Sequence, residues 1–243
     1  AANCNDITNV IEPVFKKDKG AIYYINLSQD SFELGGSSFA QITNKIGTKA
    51  PTVKSAAYVK TVFNTVQQLI KDHNIVAGHD VASGGLITTL LELCFADTNI
   101  GAELDLTDLA EKDAFKVLFA ENAGIVIQAK DDSIEEILAG AKIEFHNIGK
   151  VTESDVLSII NGNEVFTMTV SRLRGAMGKT SFLLDQKQTA NNLAETRYNN
   201  YKNQALQYKF PEHFDGKLPK LDIPKQKPKA AILREKGSNS ERE

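Results

Sequence analysis

The segment His79-Asp80-Val81-Ala82-Ser83-Gly84-Gly85 sets a carboxylate immediately ahead of a glycine turn and a strongly apolar helix pattern. An aspartate oxygen is the hard ligand that magnesium takes when it bridges to phosphates. Paired glycines remove side chains, so a ligand can approach the backbone closely. The start of a helix adds unpaired amides and a positive dipole end, which attract phosphate oxygens. Asp80 is thus the candidate metal ligand. The same residues also read as local architecture: an aspartate caps a helix or stabilises a turn, and glycines shape it. His79 fits a packed, hydrogen-bonded role as well as a chemical one. A second glycine-serine turn, Leu34 to Ser38, reads as backbone geometry when taken alone.

These residues need a scaffold, and the pattern supplies one. The run AIYYINL (21–27) is rich in β-formers and reads as a strand; the turn at Gly35-Gly36 introduces a short helix closed by Gly47. A longer amphipathic helix follows, with Val59, Val62, Phe63, Val66, Leu69 and Ile70 on one broad face. NIVAGHD is the strand that delivers Asp80, and Leu86, Leu90 and Leu93 anchor the helix behind it. Further along come a strand (GAELDL), a helix (EKDAFKVLFAE), a nearly continuous apolar central strand (AGIVIQAK), and a helix with an acidic first turn (DSIEEILAGAK). Three short strands, IEFHNIGKV, DVLSIIN and EVFTMTV, complete a mixed sheet layered with helices over residues 1–170. From Ser171 the chain is helix-permissive but polar, suited to wrapping a surface. Residues 211–229 hold several prolines and lysines and read as an extended linker.

Composition narrows the class. The chain has 243 residues, 42% hydrophobic and 24% charged, enough for one ample core. A net charge of -3 gives no global attraction to nucleic acid or to an anionic membrane. No apolar run approaches the roughly 20 residues needed to span a bilayer, and the N-terminal residues lack the pattern of a secretory signal. Cys4 and Cys94 are far apart, and Cys94 falls in an apolar helix pattern, so a buried free thiol and a reducing, cytoplasmic setting are expected.

The ordered segments LGGSSFAQ, HDVASGGLITTLLELCFA, KVLFAENAGIVIQAK and IGKV resemble the phosphoribosylformylglycinamidine synthases, glutamine-dependent enzymes of purine biosynthesis. The likeness continues through SRLRGAMGKTSFLLDQKQ. KAAILREKGSNSERE is similar to the opening strand and loop of the family's glutaminase domain. The resemblance implies an α+β subdomain of the aminoimidazole-ribonucleotide-synthetase C-terminal type, closing the second synthetase half of a long chain. Its expected divisions are 1–170 for that subdomain, 171–210 for a helical linker, 211–229 for the extended linker and 230–243 for the start of the glutaminase.

In that family ATP activates the amide oxygen of formylglycinamide ribonucleotide, and ammonia from glutamine then displaces the phosphate. The resemblance further implies an auxiliary site for ADP or ATP with Mg²⁺, completed by other subdomains. The aspartate of the family's His-Asp-x-Ser-Asp-Gly-Gly motif ligates magnesium there, and that position is Asp80. This chain departs from the motif: Ala82 stands where the serine touches nucleotide, and Ser83 stands at the second aspartate. Ala82 is therefore carried over through its backbone only. No catalytic residue is expected in this chain, and no turnover from it alone. The partners expected are the remaining synthetase subdomains, the glutaminase and a nucleotide, with self-association where an apolar interface is left uncovered. The alternative class is a scaffold subdomain with no ligand role, in which Asp80 is a turn residue.

Overall fold

The computed structural model describes residues 6, 9–97, 99–203, 209–217 and 231. Residues 9–209 form one compact unit. It is built on seven strands: β1 (Ile22–Asn26), β2 (Ile75–Val81), β3 (Gly101–Asp105), β4 (Gly124–Ala129), β5 (His146–Thr152), β6 (Val156–Asn161) and β7 (Glu164–Thr169). They form a single sheet in the order β2-β4-β1-β5-β3-β6-β7. Every neighbouring pair is antiparallel except β3 and β6, which run parallel. The helices are α1 (Ser38–Ile42), α2 (Ala56–Lys71), α3 (Gly85–Phe95), α4 (Ala114–Phe119), α5 (Ile134–Gly140), α6 (Val170–Gln188) and α7 (Leu193–Asn199). The fold is α+β, a mixed sheet with helices on both faces, as the residue pattern indicated.

Strand alternation sorts the apolar residues into two cores. On β1, Ile22 and Tyr24 enter one cluster with Leu86, Leu90, Leu93 and Cys94 of α3 and Val117 and Leu118 of α4. Tyr23 and Ile25 enter the other with Val62, Val66 and Leu69 of α2 and Ile134 and Leu138 of α5. β4 divides its residues in the same way, Val126 to the first cluster and Ile127 to the second. A strand buried on both faces must be apolar almost throughout, which is why AGIVIQAK lacks polar alternation. Cys94 is a buried free thiol, and burial pushes its pKa up to about 12.

Two local expectations need correction. Phe63 is 57% exposed, so the buried stripe of α2 is the narrower set Val62, Val66 and Leu69. The helix at the first glycine turn is five residues long and is capped at Thr43, whose amide bonds back to the Phe39 carbonyl while the Asn44 amide bonds to that of Gln41; Gly47 lies in the loop beyond it. Beyond β7, α6 buries only Val170, consistent with its polar sequence. It carries α7 through stacked Phe182 and Tyr198 rings 4.5 Å apart and an Arg197–Asp185 ion pair.

The second unit comprises residues 1–8 and 210–243. Its described residues include an antiparallel bridge between Asp6 and Lys217 and stacked Phe210 and Phe214 rings. The linker expected over 211–229 is described only to Lys217. Apart from Ala231, the strand and loop expected at 230–243 lie outside the described residues.

Burial makes the two faces of these helices separable by mutation. Leu90→Ala, at a residue with no exposed surface, is expected to lower unfolding free energy by about 2–5 kcal/mol. Phe63→Ser is expected to change it by less than about 1 kcal/mol, and chemical denaturation of both variants checks the assignment.

Candidate functional site

Asp80 lies at the end of β2, opposite Ile125 of β4 in the antiparallel ladder. β2 is an edge strand, so among the described residues one side of its backbone lacks a full strand partner. Part of that edge is covered where Glu12 bridges to Ala77 and accepts a bond from the Gly78 amide. At Asp80 the carbonyl is satisfied differently. It accepts from the Thr89 hydroxyl of α3 at 3.0 Å and lies 2.7 Å from His79 Nδ1. The carboxylate itself is 76% exposed, with Oδ1 3.3 Å from His79 Nδ1. His79 turns its other nitrogen to Glu92 of α3, at 3.2 Å. His79 is therefore a packed bridge between strand and helix, the role sequence reasoning held open for it.

The turn after Asp80 is shaped by its glycines. Gly84, the N-cap of α3, and Gly85 have φ of 91° and 75°, the left-handed region that favours glycine. Gly85 also passes so close to α4 that a Cβ would lie 2.7 Å from the Leu118 carbonyl oxygen. The Gly85 amide closes the turn onto the Ala82 carbonyl at 3.0 Å. Ala82 and Ser83 are both exposed, so the position at which nucleotide contact was expected is open to solvent.

The Gly84 amide is already used. It donates to Oε1 of Glu121 at 2.8 Å, and the Ser38 amide donates to the same oxygen at 2.8 Å. The two glycine turns noted in the sequence therefore meet at one carboxylate, and sequence reasoning had missed it. Burial raises the Glu121 pKa, but the amides of Gly84 and Ser38 outweigh that effect and hold it below the ordinary value. Thr89, which fixes the Asp80 carbonyl, was also missed. Neither residue carries a periodic signal, because both act on backbone atoms.

Among the described residues, no group of three or more His, Cys, Asp or Glu side chains is arranged to hold a metal ion. Asp80 can supply one exposed carboxylate oxygen, and Mg²⁺ is commonly held by one or two carboxylates together with waters and phosphate oxygens. The donor set thus fits a contribution to a shared site and does not fit a complete cage. Beside the turn, Phe39, Phe115 and Phe119 form an aromatic cluster with centroids 4.8–6.1 Å apart, and Phe115 is 55% exposed. A wholly apolar pocket of about 250 Å³ adjoins it, lined by Ile87, Phe115, Phe119, Phe166 and Met168 among others.

Comparison with known proteins gives this geometry a lineage. The family described as AIR synthase related protein, C-terminal domain, matches residues 22–161. The chain belongs to that family. It is 33% identical over 251 residues to a probable phosphoribosylformylglycinamidine synthase, chloroplastic/mitochondrial, of Arabidopsis thaliana, covering 99% of this chain and 17% of the relative. It is 32% identical over 256 residues to the Homo sapiens phosphoribosylformylglycinamidine synthase, covering all of this chain and 19% of the relative. The chain therefore spans less than a fifth of each of these relatives. Among solved structures, Thermotoga maritima PurL complexed with ATP superposes with a TM-score of 0.52 at 14% identity, covering 68% of this chain and 27% of that one. The same protein complexed with FGAR gives 0.53 at 16%, covering 68% and 29%. The fold expected of an AIR synthase related C-terminal domain is present, and the matched span runs from β1 through β6, including Asp80 and Glu121.

Two glycines separate conformation from crowding. Gly36 also has a positive φ, of 76°, but a Cβ there would meet nothing within 4 Å. Gly36→Ala is expected to cost about 1–2 kcal/mol, while Gly85→Ala should cost clearly more, because left-handed strain and overlap with the α4 backbone add. Thermal unfolding of the pair reads the difference.

Proposed function

We propose that this chain is part of a phosphoribosylformylglycinamidine synthase and supplies one wall of a nucleotide–magnesium site, with Asp80 as its metal ligand. The observation that carries the reading is the placement of an exposed carboxylate on a rigid strand end beside a glycine turn, in a chain that belongs to this family. The parent enzyme would couple ATP to conversion of formylglycinamide ribonucleotide into its amidine, with glutamine as the nitrogen donor. When bound, magnesium would neutralise polyphosphate charge. This chain's own part is to present Asp80 toward that charge and to leave the Ala82 backbone open for the nucleotide. A serine hydroxyl is absent at position 82, so nucleotide contact there runs through the main chain.

The remaining ligands and the chemistry belong to other subdomains of the parent chain, so this chain alone gives no turnover. The division at residue 170 into a subdomain followed by helical and extended linkers, with glutaminase beyond, follows from the same reading. The Phe39–Phe115–Phe119 cluster, of which Phe115 is exposed and the other two are partly buried, adjoins the turn through Ser38 and Glu121, and we take it as surface that those subdomains cover. In isolation it would favour self-association. No helix of the described residues is long and apolar enough to cross a membrane. A cytoplasmic setting is our inference from cysteine usage; the Arabidopsis relative is named chloroplastic/mitochondrial, so family membership does not dictate a compartment.

The test is ADP titration with and without Mg²⁺ on the parent polypeptide carrying Asp80 or Asp80→Ala. Loss of the ligand should weaken magnesium-dependent ADP binding by at least about tenfold. Equal binding by the two proteins would favour the scaffold reading instead.

A further inference from the structure

Glu121 sits in the short connection between α4 and β4, three residues ahead of the sheet. Its neighbour Asn122 is fully buried and donates from Nδ2 to the Ser28 hydroxyl at 3.0 Å and to the carbonyls of Asp30 and Ser31 at 3.2 Å each. The connection is thereby pinned to the loop that follows β1. On its other side α4 ends against Gly85, with the Leu118 carbonyl too close for any Cβ there. Glu121 is thus held by its own backbone, and its Oε1 receives amides from two turns that are far apart in sequence.

The consequence concerns geometry at Asp80. Gly84 lies four residues after Asp80 and has no side chain to cap α3 or fix the turn. The Thr89 hydroxyl holds the Asp80 carbonyl from the helix side. Glu121 holds the turn at Gly84, at the other end of the same short loop. Between these anchors the segment Val81–Ser83 has little freedom, and Asp80 is fixed relative to the Ser37–Ser38 turn. A bond between an ionised carboxylate and an amide is stronger than a neutral one, so this anchor is well suited to the task.

We propose that Glu121 is a positioning residue, a clamp that joins the two glycine turns and fixes the orientation of Asp80 toward its metal. This rests on the reading of Asp80 given above. Glu121 need not touch the ligand; it acts through the turn. It also occupies the amide that an incoming phosphate oxygen would otherwise find at the start of α3, which leaves nucleotide contact to the Ala82 side of the turn.

The first experiment uses this chain. Amide hydrogen exchange is measured by NMR at Ser38 and Gly84, and at Leu90 and Ile127 as core reporters, in the native protein, Glu121→Gln and Glu121→Ala. Removing a charge-assisted hydrogen bond should speed exchange at both Ser38 and Gly84 by at least about tenfold. The core amides should be unchanged, and Glu121→Gln should restore part of the protection because its amide oxygen still accepts. Faster exchange at one turn only, at neither, or equally throughout the core would overturn the clamp.

The second experiment uses the parent polypeptide and the Mg²⁺ concentration that half-saturates ADP binding. Glu121→Ala should raise it severalfold, with Glu121→Gln intermediate, as expected when a supporting residue around a ligand is lost. If Asp80→Ala shifts the magnesium requirement and Glu121→Ala does not, the positioning role is wrong while the Asp80 reading stands. If Asp80→Ala is silent too, the Asp80 reading has failed and the positioning role falls with it. A lower magnesium requirement in Glu121→Ala would make Glu121 a competitor for the ligand, and that also overturns the proposal.

Discussion

A polar turn is only as rigid as the elements that flank it, and everything proposed for Asp80 depends on that constraint. Magnesium tolerates little error in ligand placement, because its coordination shell is small and close to octahedral. An aspartate on a free loop would lose entropy each time it bound. Here the burden falls on α3. Leu86, Leu90, Leu93 and Cys94 are buried along it, so the helix cannot move without opening the larger core. The hydrophobic half of HDVASGGLITTLLELCFA is therefore a foundation for the polar half. Thr89 links them directly, since it is buried on α3 yet bonds the Asp80 carbonyl.

Much of this was legible from residue order, for identifiable reasons. Strands buried on both faces show as continuous apolar runs, and β1 and β4 are of that kind. Their two-sided burial in turn requires helices on both faces, which the periodicity of α2, α3 and α5 supplied. The residue pattern had a strand deliver Asp80 to a glycine turn, and Asp80 lies near the end of β2, just ahead of that turn. Legibility ended where the partner is backbone. Glu121 sits in FAENAG with no periodic relation to its neighbours, and its Oε1 accepts from the amides of Ser38 and Gly84. An amide looks the same at every position in a sequence, so nothing there announces the pairing. Phe63 failed for another reason. It shares helical spacing with Val59, Val66 and Ile70, and periodicity alone does not show where a buried stripe ends and its rim begins.

Sheet order was equally hidden. β5 and β6 are consecutive in sequence, yet β3 lies between them. That insertion brings the start of β3 against β6 so tightly that a Cβ on Gly101 would lie 1.9 Å from the Val156 carbonyl oxygen. The glycine there is understandable once the neighbour is known, but its identity did not reveal the neighbour. Non-local pairing leaves this kind of trace: a residue whose smallness makes sense only in three dimensions.

The position of β2 at the sheet edge completes the argument. An interior strand would have both backbone edges paired, and its end would be flanked by two neighbours. β2 pairs only with β4 within the sheet, so its far side can be shared with something else. Near the middle of β2 that side is bridged by Glu12. At Asp80 it is closed by side chains, Thr89 and His79, and the carboxylate remains exposed. A lone exposed carboxylate is a poor metal site by itself but a suitable contribution to one assembled between subdomains. The aromatic cluster of Phe39, Phe115 and Phe119 supports the same division of labour. On the proposed reading it is the apolar surface that other subdomains would cover, and Glu121 links it to the turn through the Ser38 and Gly84 amides. If that proposal holds, docking and ligand geometry would depend on the same few residues. A displacement of α1 on docking would be felt at Gly84 through a single oxygen atom, and at Asp80 through the turn that the Gly85 amide closes onto the Ala82 carbonyl.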